Sequence, residues 1–295
     1  MEKYQVQYSR QMMLTSDFEI HRKSGESRSS GQRNCHVFHE IYILLKGDAK
    51  FIVEGITYAL KSGDILFISN NEVHYPMPEE NQSYERIVVW INPYLLRNIS
   101  SEKTNLEKCF DTSDENRNNI LRVSSKLMTL ILNLIVNLEK AMLSEDYGND
   151  LLKSAIFMEL MVTLNTLYLN NSLSDSSIDI SSNRKINEVL SYINSNLNNK
   201  ISLDDLASRF YISKYHLLRM FKKSTGFTIR RYIQQKRLMY ARDLLIQEYS
   251  INEICELCGF NDHSGFVRSF HNEFGISPKK YKKQIQENYF DKMSH

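Results

Sequence analysis

Several things are scarce or missing in this 295-residue chain. Cysteine is rare: Cys35, Cys109, Cys255 and Cys258 lie far apart in a chain long enough to bury a core without cross-links. That argues against a disulfide framework and for free thiols in a reducing compartment. No apolar run reaches the length of a bilayer crossing. The segment around Leu127 to Val136 is short and is interrupted by Thr129 and Asn133. The opening MEKYQVQYSR lacks the charged-then-apolar order of an export signal, so a cytoplasmic protein with no membrane partner is expected. Nothing before residue 182 has the alternating β/α pattern of a phosphorelay receiver.

The residues that are present separate into two parts of opposite charge. From Asn183 to His295 there are 19 Lys+Arg against 11 Asp+Glu, or +8; the first 182 residues hold 18 against 24, or −6. A basic back half suits a phosphate backbone, although a solvated basic surface gives the same count. From Cys35 to Ile91, short apolar runs (IYILL, KFIVEG, DILFI, RIVVWI) are separated by turn residues such as Lys46-Gly47-Asp48 and Ser62-Gly63-Asp64. This spacing predicts an all-β barrel or sandwich. From about Asn119 the period changes. Ile120, Leu121, Leu127, Leu130, Ile131, Leu134, Ile135 and Leu138 recur at three- and four-residue steps and predict an amphipathic helix, with a second from Leu151 to Leu169. The stretch NNSLSDSSIDISSN, residues 170–183, reads as a linker, and the chain beyond residue 183 reads as helical.

The helical part contains an internal repeat. SLDDLASRFYISKYHLLRMFKKSTGFTIRRYI (202–233) aligns with SINEICELCGFNDHSGFVRSFHNEFGISPKKYKK (250–283) once one residue is inserted. Leu206 falls on Ile254, Ala207 on Cys255, Phe210 on Cys258, Arg219 on Arg268, Phe221 on Phe270 and Gly226 on Gly275. In each unit a serine (Ser202 or Ser250) with an acid three residues on (Asp205 or Glu253) predicts a capping box. A short helix, a tight turn and a second helix ending at a C′ glycine come next, so two helix-turn-helix units are predicted. The repeat also decides how to read Cys255-x-x-Cys258 with His263 and His271 nearby. The spacing permits zinc or redox chemistry, but the partner positions are Ala207 and Phe210, which are core residues, so packed thiols are expected.

These motifs resemble the AraC/XylS family of bacterial transcription regulators over roughly Asn187 to Lys283. LASRFYISKYHLLRMFKKSTG and the GF…F.RSF…FGISPKKY pattern are similar to the family's two signature segments. The resemblance implies an α+β multidomain protein: a cupin-like barrel (1–112), helices for dimerisation or packing (113–170), a linker (171–183), a double helix-turn-helix domain (184–286) and a tail (287–295). Ile229 to Ile246 fits the linker helix between the two units. The implied base readers are Lys214, Tyr215, Leu218 and Arg219 in the first unit and His263, Ser264, Val267 and Arg268 in the second. Arginine suits bidentate contact with guanine and valine suits a thymine methyl. Lys222, Lys223, Arg230, Lys279, Lys280 and Lys282 suit phosphates. His271, in place of the family's usual lysine, and Gly265, in place of an aromatic, are departures that imply looser docking of the second unit.

In the front half, HVFHEIYILLKG and LKSGDILFISNNEVHYP resemble the family's cupin-like sensor. The resemblance implies an effector pocket at Glu40, Tyr42, His74, Arg86 and Trp90, with a sugar or related metabolite as the candidate ligand. No cofactor or metal is expected, although His36, Glu40 and His74 could converge on one, with His39 on the opposite face of the same strand. The expected function is an effector-modulated transcription activator that binds promoter DNA as a homodimer and contacts RNA polymerase, and no enzyme. Two alternatives stay open: a cupin-type metal enzyme with a DNA-binding appendage, and a constitutive regulator whose front half only dimerises.

Overall fold

The structure is a computed structural model that describes residues 13–26, 34–70, 72–78, 83–113, 117–171, 180–181, 184–245, 247 and 249–283. The chain divides into two compact units, Met1–Ser181 and Ser182–His295.

The first unit is built on two antiparallel sheets. One has five strands in the order β1 (Phe18–Glu26), β7 (Ser83–Ile91), β2 (His39–Lys46), β5 (Asp64–Ile68) and β8 (Ile120–Arg122). The other has four: β6 (His74–Pro78), β3 (Ala49–Val53), β4 (Ile56–Leu60) and β9 (Ile180–Ser181). A short helix α1 (Pro93–Ile99) comes after β7, and a pair of long helices, α2 (Ser125–Leu143) and α3 (Asn149–Asn171), comes after β8.

The pleat of the larger sheet separates two apolar clusters. Ile41, Ile43, Ile65, Phe67, Ile87, Val89 and Ile91 pack with Ile131, Ile135 and Leu138 of α2 and with Phe157, Leu160, Met161 and Leu164 of α3. Their neighbours Tyr42, Leu44, Leu66, Ile68, Val88 and Trp90 pack on the other side with Phe51, Val53, Tyr58 and Leu60 of the smaller sheet. Both faces of β2 and β5 are therefore covered, and their sequences show no apolar/polar alternation because all of β5 and the first six residues of β2 are buried. The inner face of α3 is accounted for by this packing. The helix is long and apolar enough by composition to cross a membrane, but its buried stripe belongs to the first of these clusters.

The structure departs from the sequence expectation in three places here. Ile120 and Leu121 are strand residues paired with Leu66 and Ile65, so the first helix begins at Ser125, capped by Ser124. The expected break at 112/113 falls inside one continuous core, because β8, α2 and α3 all pack on the sheet that precedes them. Within the expected linker, Ile180 and Ser181 pair with Tyr58 and Thr57, while 172–179 and 182–183 lie outside the described residues. The expected tail, 287–295, also lies outside them.

The second unit is helical: α4 (Arg184–Ser195), α5 (Leu203–Arg209), α6 (Lys214–Thr225), α7 (Ile229–Leu245), α8 (Ile251–Leu257) and α9 (His263–Phe274), with helical residues again at 278–283. Helices α5–α6 and α8–α9 are the two helix-turn-helix units. Helix α7 serves both. Its first half packs Tyr232 edge-on against Phe221 of α6, with ring centres 5.4 Å apart. Its second half joins Leu238, Ala241, Leu244 and Leu245 to Ile254, Cys255, Cys258, Phe266 and Phe270.

Candidate functional site

The two recognition helices are placed by local chemistry. Ser213 accepts the His216 N–H at the start of α6, and Asp262 accepts the Gly265 N–H at the start of α9. Both helices end at a left-handed glycine, Gly226 at φ 78° and Gly275 at φ 80°, the conformation that an L side chain resists. At the preceding helices the capping box is complete only in the second unit, where Glu253 reaches back to the Ser250 N–H. In the first, Ser202 accepts the Asp205 N–H; aspartate, one methylene shorter than glutamate, makes no return bond.

The implied reading faces point outward. On α6, Lys214, Tyr215, Leu218, Arg219, Lys222 and Lys223 are exposed around the buried Leu217 and Phe221. On α9, His263, Ser264 and Arg268 are exposed and Val267 is half-buried, around the buried Phe266 and Phe270. His263, Ser264, Val267, Arg268, His271 and Ser277 line one open groove of about 390 Å³. Arg219 and Arg268 make no ion pair among the described residues, whereas Lys214 pairs with Asp204 of α5. Arg230, Lys279 and Lys280 are exposed, but Lys282 donates to the Tyr249 carbonyl at 2.7 Å and is less free for phosphate.

Two further residues explain the docking of the second unit. Gly265 does more than weaken α9: a Cβ there would lie 2.8 Å from an Asp262 carboxylate oxygen, so glycine leaves room for the N-cap. Arg237, on α7, is a structural clamp that the sequence reading misses. It donates to Leu197 O at 2.8 Å, Asn199 O at 2.6 Å and Gly259 O at 2.6 Å, tying the loop after α4 to the turn of the second unit. Gly259, at φ +71°, permits this approach, because a Cβ there would sit 2.7 Å from Leu197 O. No local signal marks Arg237, because α7 also buries Gln235 and Arg242 and the acceptors of Arg237 are main-chain carbonyls. The cysteines are core residues: Cys255 and Cys258 are buried among the apolar side chains of α7–α9, and burial pushes the Cys258 thiol up to about 12.

In the first unit, all five residues of the implied effector pocket line one cavity. Glu40, Tyr42, His74, Arg86 and Trp90 surround it together with Lys23, Asn34, Phe51, Pro76 and Val88. Register explains the convergence. Glu40 and Trp90 are direct partners across β2 and β7, so the indole Nε1–H donates to Glu40 Oε2 at 3.0 Å. His74 opens β6, and Asn34 clips onto it through a two-bond bridge (Asn34 N–H to His74 O, 2.8 Å; His74 N–H to Asn34 O, 3.0 Å). That bridge delivers His36, whose Nε2 lies 3.1 Å from Glu40 Oε2. His39 faces away, 3.2 Å from Glu107, as strand alternation predicts. The Tyr42 and Tyr84 hydroxyls hydrogen-bond to each other, and Arg86 lies 4.8 Å above the Tyr84 ring.

Burial disfavours the charged form of Glu40, yet the two neighbouring imidazoles outweigh it and hold the carboxyl below the usual range. Burial also pushes the His36 imidazole down; for His74 the neighbouring Glu40 carboxylate outweighs burial and raises it. The cavity is about 50 Å³. Organic-ligand pockets run to roughly 300 Å³ and more, so a sugar requires this one to open.

A chain with a double helix-turn-helix and a cavity lined from two antiparallel sheets is a DNA-binding regulator with a ligand-binding domain. Comparison with known proteins gives the same answer. The AraC-like ligand binding domain family model matches residues 16–161, and the helix-turn-helix domain model matches 206–284. The transcriptional activator RhaS of Shigella boydii is 26% identical over 245 residues, covering 83% of this chain and 84% of RhaS. An AraC-type transcriptional regulator structure from Chromobacterium violaceum is 33% identical, with 34% of this chain matched to 91% of that one at a TM-score of 0.33. Fatty-acid-bound ToxT from Vibrio cholerae is 14% identical, with 92% of this chain matched to 97% of that one at a TM-score of 0.39. The protein belongs to the AraC/XylS family of transcription regulators.

Proposed function

We propose that this regulator is an effector-modulated transcription activator that reads two adjacent major-groove sites with α6 and α9. The observation that carries the reading is the matched pair Arg219 and Arg268: each occupies the same repeat position, is exposed, and makes no ion pair among the described residues. Lys214, Tyr215 and Leu218 flank the first arginine, and His263, Ser264 and Val267 flank the second. Lys222, Lys223, Arg230, Lys279 and Lys280 serve the phosphates. Helix α7 has 17 residues and spans about 26 Å at about 1.5 Å per residue, a length suited to readers one duplex turn apart. Activation accords with the relation to RhaS, and its targets are promoters served by RNA polymerase in the cytoplasm.

The small-molecule effector enters the barrel cavity at Glu40, Tyr42, Arg86 and Trp90. The outer faces of α2 and α3, where Leu130, Leu143, Leu151, Leu152 and Val162 are exposed, form the homodimer contact. No catalytic step is assigned to the barrel. Unbiased selection of DNA bound by the full chain tests the reading. The expected product is two short base clusters about 10 base pairs apart, with no palindrome needed within them. Enrichment of a single cluster, or of none, overturns it.

A further inference from the structure

We propose that His36, Glu40 and His74 hold a divalent first-row transition-metal ion at the inner end of the barrel cavity. The three donor atoms are buried and lie within 4.8 Å of one another. Glu40 Oε2 is 3.1 Å from His36 Nε2 and 3.7 Å from His74 Nε2. Ligands around a tetrahedral zinc are separated by about 3.4 Å, given bonds of about 2.0–2.1 Å; the two spacings from Glu40 bracket that value, and the two imidazoles, which lie within 4.8 Å, have to close in around the ion.

The donor count makes the case for a cation. His36 Nδ1 lies 2.9 Å from Phe38 O, and His74 Nδ1 lies 2.9 Å from Glu72 O. A carbonyl only accepts, so each imidazole carries its proton on Nδ1. In the neutral ring, Nε2 is then a bare lone pair. Two such lone pairs and a carboxylate oxygen converge, and His74 Nε2 has no hydrogen-bond partner among the described residues. Buried acceptors facing one another repel unless something positive, a proton or a metal ion, lies between them, and three donors around one point suit the metal ion. The outer contacts suit a metal: each Nδ1–H is anchored on a carbonyl, and the Trp90 indole fixes the carboxylate. Two imidazoles and one carboxylate suit zinc or iron(II) over calcium or magnesium. The size of the cavity agrees. About 50 Å³ is enough for an ion's remaining water ligands.

This goes beyond the effector reading and does not depend on it, because its test involves neither DNA nor an effector. The full chain, free of any affinity tag, is stripped with a chelator, titrated with Co²⁺ or Zn²⁺ and desalted, and its metal content is measured. The expected result is one equivalent of metal. The Co²⁺ form should show visible d–d bands without the near-ultraviolet thiolate band that binding at Cys255 and Cys258 would produce. His74→Ala and Glu40→Gln should lose the equivalent. Trp90→Phe, which removes the outer hydrogen bond and keeps an aromatic ring in its place, should weaken binding by about 10- to 100-fold. Circular dichroism establishes that each variant is folded; Glu40→Gln conserves the shape of the side chain if the alanine variant is not. A folded wild-type chain that takes up no metal, or a folded Glu40→Gln variant that keeps the full equivalent with the same Co²⁺ spectrum, overturns the inference.

Discussion

The two helix-turn-helix units share a backbone plan and divide their chemistry unequally. Helix α6 carries Lys214, Arg219, Lys222 and Lys223 and no acid; α9 carries Arg268, two histidines and Glu273, which is paired with Arg231 of α7. The first unit is suited to hold the duplex by charge. The second has the tighter mechanical support: a complete capping box, an aspartate N-cap folded over Gly265, and links to α7 through Arg231–Glu273 and Gln234–Ser269. Internal repeats can thus conserve packing while dividing affinity and rigidity between the copies.

The comparison is most strongly tested at the residue that joins the two halves. Arg237→Ala removes three hydrogen bonds from a charged donor to backbone carbonyls. Discounted for the partial exposure of the guanidinium, the loss should destabilise the second unit by about 3 kcal/mol. Denaturant unfolding checks the value, and an unchanged midpoint means that the apolar packing along α7 suffices without the clamp.

Arg219→Ala and Arg268→Ala should each cost about 1–3 kcal/mol of binding and relax preference in one base cluster only. Titration against single-base variants of the selected site decides the matter. If either variant weakens all sequences alike, that arginine is a phosphate contact. Replacing Lys222 and Lys223 together with alanine should flatten the dependence of log K on log salt by about 1.8, at about 0.9 per phosphate contact. The matching change at His271 and Asn272 should leave the slope unaltered. Equal slopes for the two double variants would erase the asymmetry. The smallest effect is expected at Gly265→Ala. The gain in helix propensity, about 1 kcal/mol, is offset by loss of the Asp262 cap, also about 1 kcal/mol, so the melting temperature should barely move. Asp262→Ala alone should lower it.

Much of the second unit is legible in the sequence because its signals are local. Serine caps, glycine stops and apolar spacing act within a few residues, and the repeat supplies a second copy of each. The first unit is harder. With both faces of β2 and β5 covered, the runs IYILL and DILFI carry no alternation to orient them. Strand β8 reads as the start of a helix because Ile120 and Leu121 continue the apolar period of α2. The resemblance implies Glu40, Tyr42, His74, Arg86 and Trp90, and these five residues line one cavity. The approach of His36 depends on the Asn34–His74 bridge, a pairing across forty residues with no short-range signature. The Arg237 clamp is illegible for the same reason: its acceptors are main-chain carbonyls, which every residue has.

Strand β2 separates the cavity from the helical layer by the thickness of one backbone. Glu40 and Tyr42 face the cavity, and Ile41 and Ile43, the residues between and beyond them, bear on the cluster that includes α2 and α3. A close-packed interior has little slack to absorb a shift. Whatever displaces Tyr42 outward presses the same pleat into the helix pair, with no loop or hinge in the path. The shared wall predicts that a ligand filling the cavity changes the pressure on α2 and α3.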